Sequence, residues 1–131
     1  MTPDPRLAMK LVGAGRVAIG VGLVVAPGAL GRGWVGDAAD DAGGQVALRA
    51  LGIRDALLGF MAFHVADATD PLVAARWSAA IAICDTVDGG ATLAATGSDT
   101  VPARAQAITA LAFGSAAAGF AIAAGLRGSA A

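Results

Sequence analysis

The sequence predicts an all-α protein of one domain, residues 1–131, built as an antiparallel up-down bundle of four transmembrane helices. Three observations predict it. Four long apolar stretches account for most of a 131-residue chain that is 56% hydrophobic and 15% charged, with a mean hydropathy of +0.69, on the apolar side of globular averages. Three of the four stretches carry arginine or aspartate near their midpoints. At the centre of a bilayer each such charge costs roughly 2.5–3.5 kcal/mol on insertion scales, so it is expected to face a bundle interior and a partner. The polar residues also fail to form the single stripe that a soluble helix keeps. At about 100° per residue, Arg49, Arg54 and Asp55 point in three directions, and the last stretch offers only Gln106, Thr109 and Ser115 as a polar face.

The first helix is expected over about residues 7–26. Pro27-Gly28 ends it, because proline removes a backbone donor and glycine frees the chain. Gly28 to Gly44, with six glycines beside Arg32, Asp37, Asp40 and Asp41, reads as an exposed loop. The second helix is expected over about 45–66. A turn, Asp67-Ala68-Thr69-Asp70-Pro71, leads into the third, about 72–96, and its Asp70-Pro71 pair suits a helix start. Gly97-Ser98-Asp99 breaks the chain before the fourth, about 102–126. From Ala105 to Leu126 that stretch holds no charge and matches the roughly 20 apolar residues that cross a bilayer. Arg6 and Lys10 ahead of an apolar run have the outline of a signal peptide, but Arg16 in mid-run argues for a retained helix. Two small-residue series, Ala14-Ala18-Gly22 and Ala110-Gly114-Ala118, would let helices, or copies of the chain in a homo-oligomer, pack closely.

Nine basic residues against ten aspartates, a net charge of -1, leave no basic surface for nucleic acid. The expected partner is the lipid bilayer. Cys84, the single cysteine, makes no intrachain disulfide and no thiolate metal site by itself. Trp34 and Trp77 supply one indole anchor at each expected interface. With four spans the termini and the second loop share a side that holds Arg6, Lys10, Arg76 and Arg127, against Arg32 and Arg104 opposite. The excess of positive charge predicts a multi-pass protein of the inner (plasma) membrane with both termini cytoplasmic.

Arg16, Arg54, Asp55 and Asp85 fall within about two residues of their segment midpoints at 1.5 Å rise per residue. Arg49 and Asp88 are both displaced toward the outer side, where antiparallel helices would bring them together. These six residues are expected to form one buried polar cluster in which three arginines neutralise three aspartates. Gly13 and Gly20 share a side with Arg16, and Gly52 and Gly59 share a side with Asp55, so each charge sits where a neighbouring helix can come close. Ser78, Ile81, Asp85, Asp88 and Thr92 line one side of the third helix, and Gly89-Gly90 permits a bend there. His64, near the cytoplasmic end of the second helix, is the candidate proton relay. The sequence has no tyrosine, one histidine and one cysteine, and neither a phosphate-loop or dinucleotide fingerprint nor zinc-ligand spacing, so it points to no catalytic residue, cofactor or metal.

The run Arg49-Ala50-Leu51-Gly52-Ile53-Arg54-Asp55-Ala56-Leu57-Leu58-Gly59, with Gly15-Arg16 before it and Asp85 and Asp88-Gly89 after it, resembles a bacterial family of uncharacterised four-helix membrane proteins. That family is a domain of unknown function laid out somewhat like DoxX-type proteins. The resemblance implies the four-helix membrane fold and brings no activity with it. Three functional readings follow: a structural or accessory membrane protein whose cluster specifies helix packing, a small proton- or ion-coupled carrier using Asp85 or Asp88, and a soluble helical bundle that binds an apolar ligand. A sealed cluster would favour the first and a cluster open to a cavity the second.

Overall fold

The computed structural model describes residues 4–97 and 102–129. Among them the chain is all α: α1 (Pro5–Val25), α2 (Pro27–Val35), a 3-10 turn (Gly36–Asp40), α3 (Ala42–Val65), α4 (Pro71–Ala95) and α5 (Ala105–Gly128). α1 and α4 start in the same way. Asp4 and Asp70 each precede a proline at the first helical position, and their side chains accept the backbone N–H of Arg6 and Leu72 at 2.9 Å. An aspartate cap satisfies a donor the helix leaves open, and the proline loses a donor that had no partner. α1 and α5 are long and apolar enough to cross a membrane. α3 and α4 are as long, but each carries three charged residues.

The expected loop over 28–44 is instead α2 and the 3-10 turn. Its glycines are poor helix formers, but packing decides the matter. Leu30 of α2 lies so close to Gly22 that a Cβ there would meet it at 2.5 Å, and Gly31 is buried against the side chain of Leu48. Pro27 therefore ends α1 and opens α2 at once, and Trp34 sits on a helix, not in a loop. Gly36, at φ 63°, stops α2 in a conformation that glycine adopts without penalty. Of the expected break Gly97-Ser98-Asp99, Ser98 and Asp99 lie outside the described residues. α4 continues through Gly89-Gly90 to Ala95 as one helix.

The four long helices pack as two antiparallel pairs. α1 meets α3 glycine to glycine: a Cβ at Gly13 would sit 2.6 Å from the Gly59 carbonyl oxygen, and one at Gly20 2.5 Å from that of Gly52. Such an approach exists only because neither partner has a side chain. The expected series Ala14-Ala18-Gly22 and Ala110-Gly114-Ala118 do not make these seams, since all their members except half-buried Gly22 are exposed. α4 meets α5 less closely. Ser78 Oγ donates to the Gly119 carbonyl at 2.8 Å, and the Phe113 ring covers Gly89.

At one end the pairs share a core of small side chains with Met9, Ile81 and Leu126. There Arg6 Nη1 donates to the carbonyls of Ala66 and Ala68 at 2.6 and 3.0 Å, and Lys10 pairs with Asp67 at 2.5 Å, fastening the start of α1 to the α3–α4 turn. At the other end Leu23, Ala39 and Leu48 pack with Trp34 and Val35. Polarity is inverted between these ends. Large apolar side chains face outward on every long helix, among them Leu11 and Val25 on α1, Val46, Ile53, Leu57 and Phe60 on α3, Ile83 and Val87 on α4, and Leu111 and Phe120 on α5. The buried residues are mostly Ala and Gly, together with Arg16, Ser78, Asp85, Thr92 and Thr109.

Candidate functional site

Arg16 is at the centre of the polar interior. Its place on α1 between Gly13 and Gly20 carries the guanidinium through the α1–α3 seam, where Nη2 donates to Asp55 Oδ1 at 2.9 Å and Nη1 crosses to Asp85 Oδ1 on α4 at 2.6 Å. Arg16 and Asp85 are 8% and 5% exposed, so this pair is desolvated. Arg54 continues the network. It donates to Asp55 Oδ1 at 3.3 Å and to both carboxylate oxygens of Asp88, the Nη1 bond measuring 3.2 Å. Ser115 of α5 donates to Asp85 Oδ2 at 2.6 Å. Trp34 Nε1 donates to Thr92 Oγ1 at 3.0 Å, and that hydroxyl donates back to the Asp88 carbonyl at 2.8 Å. Each bond to an ionised group is of the stronger, charge-assisted kind. Between them they link all five helices.

Two residues expected in or near the cluster lie outside it. Arg49 is exposed, and its guanidinium donates to Gln45 Oε1 at 3.0 Å, one turn back on α3. The physical reason is angular: five residues at about 100° each turn Arg49 well away from Arg54, so Arg54, not Arg49, takes Asp88. His64 is exposed as well, its ring stacked on Phe60 at a centroid distance of 6.2 Å. Nine residues at about 1.5 Å each separate it from Asp55 along the helix, and among the described residues no hydrogen bond joins it to the network. The expected balance of three against three therefore fails. Two arginines face three aspartates, which leaves one negative charge in excess.

The network is not sealed. It forms the floor of a half-open cleft of about 410 Å³ between α1 and α5, lined by apolar side chains such as Val12, Ile19, Ile108 and Leu111 and by Leu30 and Trp34 of α2. Arg16, Asp55, Asp85 and Asp88 all line it. Inside the network Arg16 Nε and Arg54 Nε are buried without a hydrogen-bond partner. Among the described residues no three His, Cys, Asp or Glu side chains are grouped to hold a metal ion.

Trp34 and Ser115 belong to this site though neither was expected there. Ser115 was visible as one of three polar residues on α5, but its facing toward Asp85 depends on how α5 packs. Trp34 could be found only by recognising α2. Compared with known proteins, the chain matches no protein-family model, no curated protein and no solved structure.

Proposed function

We propose that this chain is a multi-pass membrane protein in which α1, α3, α4 and α5 cross the bilayer as an antiparallel up-down bundle, and in which the Arg/Asp network is the architectural core of an accessory protein. The inverted polarity carries this reading. An outer surface of Leu, Ile, Val and Phe on all four long helices, around an interior of glycine, alanine and paired charge, is the distribution a hydrocarbon solvent selects. On α3 the outward stripe from Val46 to Phe63 extends over about 26 Å at 1.5 Å per residue, near the roughly 30 Å of a hydrocarbon core. Of the charges that lower the hydropathy of α3 and α4, Arg54, Asp55, Asp85 and Asp88 are paired within the network, while Arg49 and Arg76 are exposed. In the inner (plasma) membrane, the excess of Arg6, Lys10, Arg76 and Arg127 over Arg32 and Arg104 puts both termini in the cytoplasm.

The protein is expected to stay with the membrane pellet through an alkaline carbonate wash and to require detergent for extraction. Recovery in the aqueous fraction would replace this reading with a soluble bundle that binds an apolar ligand. The open cleft beside the network favours a second reading, a small proton- or ion-coupled carrier using Asp85 or Asp88; the architectural reading rests instead on the bonds that tie all five helices together through the network. Proton flux into proteoliposomes that disappears in Asp85→Asn, with thermal stability retained, selects the carrier. Lower stability of that variant with no flux in either protein selects the architectural role.

A further inference from the structure

The cleft beside the network has a chemistry that architecture does not require. Its walls are apolar, its floor presents three carboxylates and the Arg16 guanidinium with Arg54 pairing to Asp55 and Asp88 from behind, and among the described residues Trp34 is the one aromatic side chain that lines it. The other cations near its outer end do not correct the imbalance: Arg32 is exposed and paired with Asp40 at 2.5 Å, and Arg104 is exposed and donates to the Arg32 carbonyl. Arg49 points away, as shown above. The carboxylates are also not saturated. Asp55 Oδ1 accepts from both Arg16 and Arg54, while Asp55 Oδ2 accepts from none of the described residues.

An excess negative charge held away from water is stabilised by a cation close to it. The cleft has the size of a small-molecule site, whose usual range begins near 300 Å³, and indole is the aromatic group that attracts a cation most strongly. Apolar walls select against a hydrated metal ion, which carries its water with it, and select for an organic body.

We propose that this cleft is a binding site for a protonated amine that bears an apolar group. The ammonium donates to Asp55 Oδ2 and neutralises the floor, and the apolar body lies along Ile19, Ile108 and Leu111 below Trp34. The proposal goes beyond the architectural reading and names a ligand class for the carrier reading. It does not depend on transport, because binding is measured on the detergent-extracted protein.

In a Trp77→Phe background Trp34 is the sole tryptophan, and its fluorescence reports the cleft. Titration with 4-phenylbutylamine is expected to give a saturable change, with at least tenfold weaker binding of the neutral 4-phenylbutanol. Asp88→Asn makes the network two against two while keeping one acceptor oxygen for Arg54; it should weaken the amine about tenfold and leave the alcohol unchanged. Ala112→Phe fills the cleft without touching a charge and should abolish the amine signal. Equal binding of amine and alcohol, no saturable binding at all, or an amine affinity that survives either substitution overturns the proposal. Loss of proton flux in proteoliposomes, or recovery in the aqueous fraction, bears on the preceding readings alone.

Discussion

The α1–α3 and α4–α5 seams use the same small residues and differ in what they let a side chain do. In the first, glycine faces glycine, and any Cβ at Gly13, Gly20, Gly52 or Gly59 would be driven into the backbone of the opposite helix at 2.5–2.6 Å. In the second, a Cβ at Gly119 would meet the Ala82 methyl at 3.0 Å, and one at Gly89 would meet the edge of Phe113 at 3.2 Å. Backbone cannot give way, whereas the Phe113 ring can turn aside and at Gly119 the neighbours need shift by only a few tenths of an ångström. The first seam is therefore a fixed distance, which is what lets Arg16 and Asp55 bond across it, and the second is an adjustable one closed by the hydroxyls of Ser78 and Ser115.

Substitutions can break or sharpen this contrast. The largest effect is expected from Gly20→Val, which separates α1 from α3 and should destabilise by about 3 kcal/mol or more, measured by thermal unfolding in detergent. A loss no greater than that of Gly119→Val would show that the two seams are alike. Asp85→Ala follows, at about 3 kcal/mol, because it leaves the buried Arg16 with Asp55 alone and removes one of the two ion pairs that cross between the helix pairs, the other being Arg54–Asp88. Gly119→Ala should cost about 1 kcal/mol, part of the crowding being offset by better helix propensity. Arg49→Ala is expected within about 0.5 kcal/mol of the parent; a larger loss would return Arg49 to the network. At the far end of the scale Gly114→Ala, which meets nothing within 4 Å, should stabilise by about 0.5 kcal/mol.

The all-α class and the four long helices were legible because apolar length and the Asp-Pro and Pro-Gly boundaries are local signals. So was the pairing of glycines with charges, since residues seven apart on a helix return to one side. α2 was not legible. Three glycines in nine residues argue against a helix until Leu30 and Gly31 have Gly22 and Leu48 to lie against.

The sequence by itself determined which residues pay for the polar interior: Arg16, Arg54, Asp55, Asp85 and Asp88 have no comfortable place on an apolar surface, whatever the partners. Only the tertiary structure decided who meets whom. Whether Arg49 or Arg54 reaches Asp88 depends on the rotation of α3 about its own axis, which the glycine seam with α1 sets. That rotation leaves Arg49 outside, one aspartate in excess and the cleft open above it, because a helix turned by a backbone contact fixes every side chain it carries.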